Sequence, residues 1–186
     1  MAIVSERLYT LTDLAALPND GTRYELLRGA LLRVSSSSIG HGMCAARIMT
    51  RIGAYALDQK LGETFIADAG FLLEIDPATL LAPDGSFISA ERMKDVDNHE
   101  KFSSVVPDLV VEVVSPSDTS NEVNDNVLEY LKAGVEIVLV VHPLHKTVTV
   151  YGSDRQSQIL TVDDRFDGGN VLPGFRLPVL DIFSQA

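Results

Sequence analysis

The sequence predicts a three-layer domain of the α/β or α+β class. The main indication is a strand-like apolar run at residues 109–114, followed by a helical pattern to about residue 133 and a second apolar run at 136–141. Strand, helix and strand at this spacing form a crossover unit with parallel strands. The length of 186 residues, 46% of them apolar, suits one domain with a substantial core.

The remaining patterns add helices and hairpins around this unit. Thr12 is the predicted N-cap of a short helix, and Ser117 or Asp118 is the predicted N-cap of the crossover helix. A longer helix with an apolar stripe is predicted over about 40–60. Strand patterns occur in pairs or singly at 24–34 (around Gly29), 64–66, 71–75, 87–89, 147–151 and 157–162. The C-terminal segment is expected to pack through Phe175, Leu180 and Phe183.

The charge of the chain bears on its partners. With 26 acidic and 15 basic residues the formal charge is −11, which as a total argues against nucleic acid. Residues 1–60 nevertheless carry +2, mostly through arginines, while residues 61–186 carry −13. This division predicts weak, salt-sensitive DNA binding confined to the arginine-bearing N-terminal third. The alternative is a scatter of solvated surface charges.

The expected compartment is the cytoplasm. Cys44 is the only cysteine, so no internal disulfide can form, and the first ten residues show no apolar signal core. No apolar run approaches the ~18 residues of a membrane span. We therefore expect a cytoplasmic protein with no membrane partner.

An acidic residue interrupts the strongest strand. Glu112 lies within LVVEVV and shares a strand face with Val110 and Val114. A carboxylate in a strand that is covered on both faces must be protonated, paired or bound to a metal. A structural ion pair, or exposure at the strand end, would also account for it.

Asp84 is a candidate companion for Glu112. It follows Pro83 at the start of another strand pattern, and adjacent strands could bring both acids to one point. Two carboxylates and a backbone carbonyl suit Mg²⁺ or Mn²⁺, which keep several waters and bind phosphate. Such an ion lowers the pKa of a bound water and offsets phosphodiester charge. Pro-Asp by itself is also a common turn dipeptide.

At this point the chain resembles the Uma-type restriction endonucleases, members of the PD-(D/E)XK nuclease superfamily. The resemblance covers most of the chain, and its most specific parts are PDLVVEVVSPS at 107–117 and YLKAGV at 130–135. The other matching pieces are TLTDLAALPNDGTRYELLRG, His41, Pro83-Asp84 and the terminal LPGF.

The resemblance implies one nuclease-like domain over 1–186, with a restriction-endonuclease-like core. Its parts would be an N-terminal helix and hairpin (8–34), a core with a central mixed sheet flanked by helices (38–142), and a C-terminal hairpin and tail (146–186). It also implies a homodimer and cleavage of DNA with Mg²⁺ or Mn²⁺.

The resemblance further implies a set of site residues. Asp84 and Glu112 would be the metal-binding acids, with the Val113 carbonyl as a further ligand. Glu25 and His41 match family positions and could line the same site. A hairpin surface acid and a helix-start histidine are their structural alternatives.

The chain departs from the family pattern at the lysine. The superfamily usually has a lysine two residues after the second acid, and that position here is Val114. In this family a helix supplies the lysine instead, four residues after an acid and four before a tyrosine. Those flanking residues are Glu122 and Tyr130, and the position between them is Asn126. Asparagine can hydrogen-bond a water or phosphate but carries no charge. Ala30 also stands where the family tends to have a second acid. Losing one electrostatic stabiliser commonly costs ~10²–10³ in rate, so impaired activity is expected.

Three functions are consistent with these features. The first is a divalent-metal-dependent endonuclease acting on DNA. The second is a catalytically silent nuclease fold that serves as a binding or oligomerisation module, suggested by Val114, Asn126 and the negative charge of residues 61–186. The third is a metal-dependent hydrolase of a smaller phosphate compound, which would need no basic groove.

Overall fold

The computed structural model describes residues 2–3, 7–97, 102–154 and 156–184. Its helices, in chain order, are α1 (Leu11–Ala15), α2 (Ile39–Asp58), α3 (Ser120–Ala133) and α4 (Leu180–Phe183), with a 3-10 turn at Arg92–Asp95. Within the described ranges, no helix combines the length and apolar character that crossing a membrane requires.

The strands form an open central sheet and a second sheet beside it. In chain order they are β1 (Ala2–Ile3), β2 (Arg23–Leu27), β3 (Ala30–Val34), β4 (Gly62–Ile66), β5 (Phe71–Ile75), β6 (Ala78–Leu81), β7 (Gly85–Ser89), β8 (Leu109–Val113), β9 (Ile137–His142), β10 (Thr147–Gly152), β11 (Ser157–Leu160), β12 (Arg165–Asp167) and β13 (Arg176–Pro178).

The central sheet is mixed and has the order β11-β10-β9-β8-β7-β4. β8 and β9 are parallel and joined through α3, as the crossover pattern predicts, and the other neighbours are antiparallel. The second sheet, β1-β3-β2-β6-β5, is antiparallel throughout, and β12 pairs with β13.

Helices cover both faces of the central sheet. Alternate residues of β8 point to opposite faces: Leu109, Val111 and Val113 pack with α2, whereas Val110 packs with Val127 and Tyr130 of α3. The predicted fold class, a mixed sheet flanked by helices, is therefore confirmed. Glu112 shares the face of Val110, which directs its carboxylate toward α3.

The residues that cap α1 and α3 lie one or two positions away from the predicted caps. Thr10, not Thr12, caps α1, and Thr119, not Ser117 or Asp118, caps α3. In each case an acid at the third helical position accepts a hydrogen bond from the backbone N–H of the cap residue, and this reciprocal capping box decides between neighbouring polar residues.

Two details of the sequence interpretation were wrong. β6 was not predicted, because its four residues form a short apolar run with no alternation, and all four are buried. Leu180 is 52% exposed, whereas Leu177, Val179 and Ile182 of the same segment are buried. Of the three residues predicted to pack, Phe175 is buried and Phe183 packs against the same core, so only Leu180 was wrong.

An ion pair between a half-exposed arginine and a buried glutamate holds the N-terminal hairpin against α3. Arg28, in the turn between β2 and β3, donates from Nε to Glu129 Oε1 at 2.7 Å and from Nη1 to Asp125 at 3.3 Å. Glu129 is buried, and Lys132 lies farther from it, at 3.9 Å. This contact connects the two elements that carry Glu25 and Asn126.

We expect Arg28→Met to lower the free energy of unfolding by about 1–2 kcal/mol, because it leaves the buried Glu129 carboxylate without its closest donor. Lys132→Met is the matched control and should change stability by no more than about 0.5 kcal/mol, since its contact is longer and exposed. Urea unfolding followed by circular dichroism measures both. Equal losses would show that Arg28 does not stabilise the buried charge.

Candidate active site

The two acids singled out in the sequence lie opposite each other at the end of paired strands. β7 and β8 are antiparallel, with Gly85 opposite Val111 and Ser86 opposite Val110. Continuing this register by one residue sets Asp84 opposite Glu112. Residues directly opposite each other share a sheet face and lie close together. Both carboxylates indeed line one pocket.

Glu112 is held by a tyrosine from α3. The Tyr130 hydroxyl, which is fully buried, donates to Glu112 Oε1 at 2.7 Å. Loss of solvation raises the pKa of Glu112 well above its usual range, and the nearby negative charge of Asp84 raises it further, while the Tyr130 hydrogen bond opposes both. Loss of solvation likewise raises the pKa of Tyr130, so that it stays a donor. The sequence did not indicate this partner.

Asp84 is oriented by the backbone and by His41. Its Oδ2 accepts the Val113 N–H at 2.8 Å and lies 3.0 Å from His41 Nε2. The hydrogen bond to Asp84 raises the pKa of His41, and the negative charge of Asp84 acts in the same direction, while burial opposes the shift. His41 lies in the first turn of α2 and is buried, so it interacts directly with Asp84 rather than only starting the helix.

Glu25 also lies inside this region. It belongs to β2, is only 6% exposed, and accepts the Ala82 N–H through Oε1 at 3.1 Å. Burial raises its pKa to about 7, although the Ala82 hydrogen bond opposes this shift. Its burial excludes the interpretation of a hairpin surface acid, and its carboxyl can gain or lose a proton near neutral pH.

Asn126 faces the same pocket from α3. The side chain is 8% exposed, and among the described residues its Oδ1 finds no hydrogen-bond partner. Val114, at the other lysine position of the superfamily, lines the pocket with an apolar side chain. Lys132 contacts Glu74 and Glu129 instead, so it does not supply the absent charge.

The pocket joins elements that are distant in the chain. Its volume is about 210 Å³. Besides the predicted residues it is lined by Arg23, Ser35, Ser36, Ser37, Ser115, Ser117, Asp118 and Glu122. Sequence reasoning missed these. The serine run before α2 was visible only as a low-complexity patch, and nothing in its pattern indicates which side chains face a site.

The donor set fits a hard divalent cation that keeps much of its water. Its polar lining is mostly oxygen from carboxyl, hydroxyl and amide groups, and carboxylate and amide oxygens are ligands for Mg²⁺ and Mn²⁺. No three His, Cys, Asp or Glu side chains in the described ranges come close enough together to chelate an ion. An ion here would therefore rely on few carboxylates together with other oxygens.

Comparison with known proteins agrees with this architecture. Residues 11–180 match the family model Uma2, described as "Putative restriction endonuclease". The chain belongs to the Uma2 family. The match includes every candidate site residue from Glu25 to Asn126, so the resemblance drawn from the sequence motifs is confirmed at the level of the family.

A solved structure shares the Uma2 fold found here. The crystal structure titled as a putative nuclease belonging to DUF820 from Anabaena variabilis aligns with a TM-score of 0.79 at 19% identity. The alignment covers 94% of this chain and 97% of the other. At this identity the likeness shows the fold alone. No curated protein matches the chain.

We expect Tyr130→Phe to destabilise the protein by about 1–2 kcal/mol, because the buried Glu112 carboxyl loses its hydrogen-bond donor. Tyr55→Phe is the control: it removes a bond of equal length, 2.7 Å, to the Pro173 carbonyl, but at an exposed position, and should cost less than about 1 kcal/mol. Urea unfolding measures both. A smaller loss for Tyr130→Phe than for Tyr55→Phe would contradict the role given to this contact.

Proposed function

We propose that this Uma2-family chain is a Mg²⁺- or Mn²⁺-dependent endonuclease that hydrolyses DNA phosphodiester bonds. The observation that carries the proposal is the convergence of Asp84 and Glu112 at paired strand ends in one pocket. In this proposal the two carboxylates and the Val113 carbonyl hold the ion. The family description and the nuclease title of the structural neighbour support the reaction class.

The ion would lower the pKa of a bound water and offset charge on the phosphodiester. The protein's own contribution is to orient the ligands. Val113 N–H and His41 occupy one oxygen of Asp84, and Tyr130 occupies one oxygen of Glu112, so each acid is fixed while keeping a second oxygen. His41 is thus a positioning residue. Glu25 supplies a carboxyl that can hold a proton in the neutral range.

The absence of a lysine from the site lowers the catalytic rate that we expect. No cationic side chain stands at the position of Val114 or Asn126, so negative charge on the phosphate is stabilised less than in a site with a lysine there. We therefore propose a slow enzyme. The same observation favours the second candidate, a catalytically silent binding or oligomerisation module.

Two arginines are placed to contact the nucleic acid. A shallow cavity lined by Arg23 and Arg33 adjoins the acidic pocket, with which it shares Arg23, Val34, Ser35 and Ser36. Arg23 contacts Asp68 at 2.6 Å on the surface, and Arg33 is exposed. Other arginines of the N-terminal third serve structural contacts, as Arg28 does. Weak DNA binding at the pocket mouth, a homodimer and a cytoplasmic location complete the proposal.

The first test is nicking of supercoiled plasmid with Mn²⁺. We expect Asp84→Asn and Glu112→Gln each to lower the nicking rate by at least about 10²-fold, because each removes a carboxylate that would hold the ion. The readout is the rate of open-circle formation on a gel.

Glu63→Gln is the matched control for this test, since Glu63 is an exposed carboxylate on β4 outside the pocket. Its rate should equal that of the wild type. Nicking that persists unchanged in Asp84→Asn would refute the active site, and absence of nicking by the wild type would favour the silent module.

The second test concerns DNA affinity without added metal. Arg33→Ala should weaken binding of a short duplex and reduce the slope of log K against log salt by about 1, as expected for one lost phosphate contact. Arg51→Ala is the control, because Arg51 contacts Asp181 between α2 and α4. Fluorescence anisotropy over a salt series measures both. Identical slopes for wild type and Arg33→Ala would exclude Arg33 from the interface.

A further inference from the structure

One buried polar atom of the pocket has no partner. Asn126 Oδ1 lies in the interior without a hydrogen bond from any described residue. Leaving a buried acceptor unsatisfied costs on the order of 1–3 kcal/mol, so such groups are rare in folded proteins and indicate a ligand or a function. Asn126 is therefore the most informative side chain in the site.

The position of Asn126 on α3 relates it to Glu112. Tyr130, whose hydroxyl binds Glu112 Oε1, follows Asn126 by four residues and so lies one helical turn away on the same face. Asn126 and Glu112 both line the pocket. The side-chain contacts of Asp84 and Glu112 involve one oxygen of each, Oδ2 and Oε1. Asn126 therefore brings an acceptor without a described donor to the pocket that both acids line.

We infer that Asn126 Oδ1 is a protein ligand of the same divalent cation, together with Asp84 and Glu112. This inference rests on the proposed function and deepens it. An amide oxygen is a hard, neutral donor that Mg²⁺ and Mn²⁺ accept. It would complete a site for which the described residues offer no third His, Cys, Asp or Glu.

The electrostatics of the pocket favour a cation over another occupant. Its lining contains five carboxyl side chains and two basic ones: Glu25, Asp84, Glu112, Asp118 and Glu122 against Arg23 and His41. An N–H group from a neutral ligand could satisfy Asn126, but it would leave this excess of carboxylates uncompensated. A divalent cation satisfies the amide oxygen and offsets the acids at once. Asn126 then contributes to ion affinity rather than to phosphate neutralisation.

The test is the affinity of the metal-free full chain for Mn²⁺, measured by titration calorimetry and by the EPR signal of free Mn²⁺. Asn126→Leu, which has a similar size and no donor atom, should weaken binding roughly 10-fold or more, the usual scale for removing a group that supports a metal site. Asn126→Asp keeps the oxygen and adds a charge, so it should bind Mn²⁺ more tightly than the wild type.

Asn124→Leu is the matched control, because Asn124 is exposed on α3 outside the pocket. It should bind Mn²⁺ as the wild type does. Thermal unfolding adds an independent readout: without metal, Asn126→Leu should be at least as stable as the wild type, since an unsatisfied acceptor is removed. With Mn²⁺, the wild type should gain the larger increase in Tm.

The outcomes separate this inference from the proposed function. If Glu112→Gln abolishes Mn²⁺ binding while Asn126→Leu binds like the wild type, the ligand role of Asn126 is overturned and the metal site stands. If the wild type itself binds no Mn²⁺, both fail. If Asn126→Leu does not fold, weaker or equal binding by Asn126→Asp overturns the inference, and tighter binding supports it.

Discussion

The burial of Glu112 in the central sheet is the constraint on which the site depends. Its strand is covered by α2 on one face and by α3 on the other, so the carboxylate points into an interior that disfavours charge. The structure compensates in two ways. Tyr130 donates to Glu112 Oε1, and Glu112 also lines a pocket between the strand ends and α3. Asp84 and Asn126 line the same pocket, so both lie in the region that the buried Glu112 faces.

Neutral donors hold most of the acids in the pocket. Backbone N–H groups support Asp84 and Glu25, and a phenol supports Glu112, whereas His41 is the basic partner of Asp84. Arg28 instead stabilises the buried Glu129 between the hairpin and α3. The acids of the pocket are unfavourable for a free phosphate and more favourable for a cation. In the proposed function, an ion bound here would reconcile an acidic chain with a nucleic-acid substrate.

Local patterns in the sequence predicted the part of the fold that carries the site. The β8–α3–β9 unit was identifiable because apolar runs and helical spacing are local, and Pro-Asp followed by a strand led to the pairing of Asp84 with Glu112. The strands at 24–34 and 71–75 were predicted singly, but their assembly into a second sheet was not, since the pairing of β2 with β6 depends on contacts between distant segments. Tyr130 as the partner of Glu112, and the unsatisfied oxygen of Asn126, likewise arise only when α3 packs on β8.

Membership of the Uma2 family and activity are separate matters in this chain. A fold can persist at 19% identity because the core requires only apolar side chains of suitable size, whereas catalysis requires particular atoms at the pocket. A lysine at the position of Asn126 would neutralise phosphate charge and repel a cation; an asparagine there does neither. In the proposed site its oxygen would add a ligand among the carboxylates. The exchange would then shift the balance of the site from stabilising the substrate's charge toward retaining an ion.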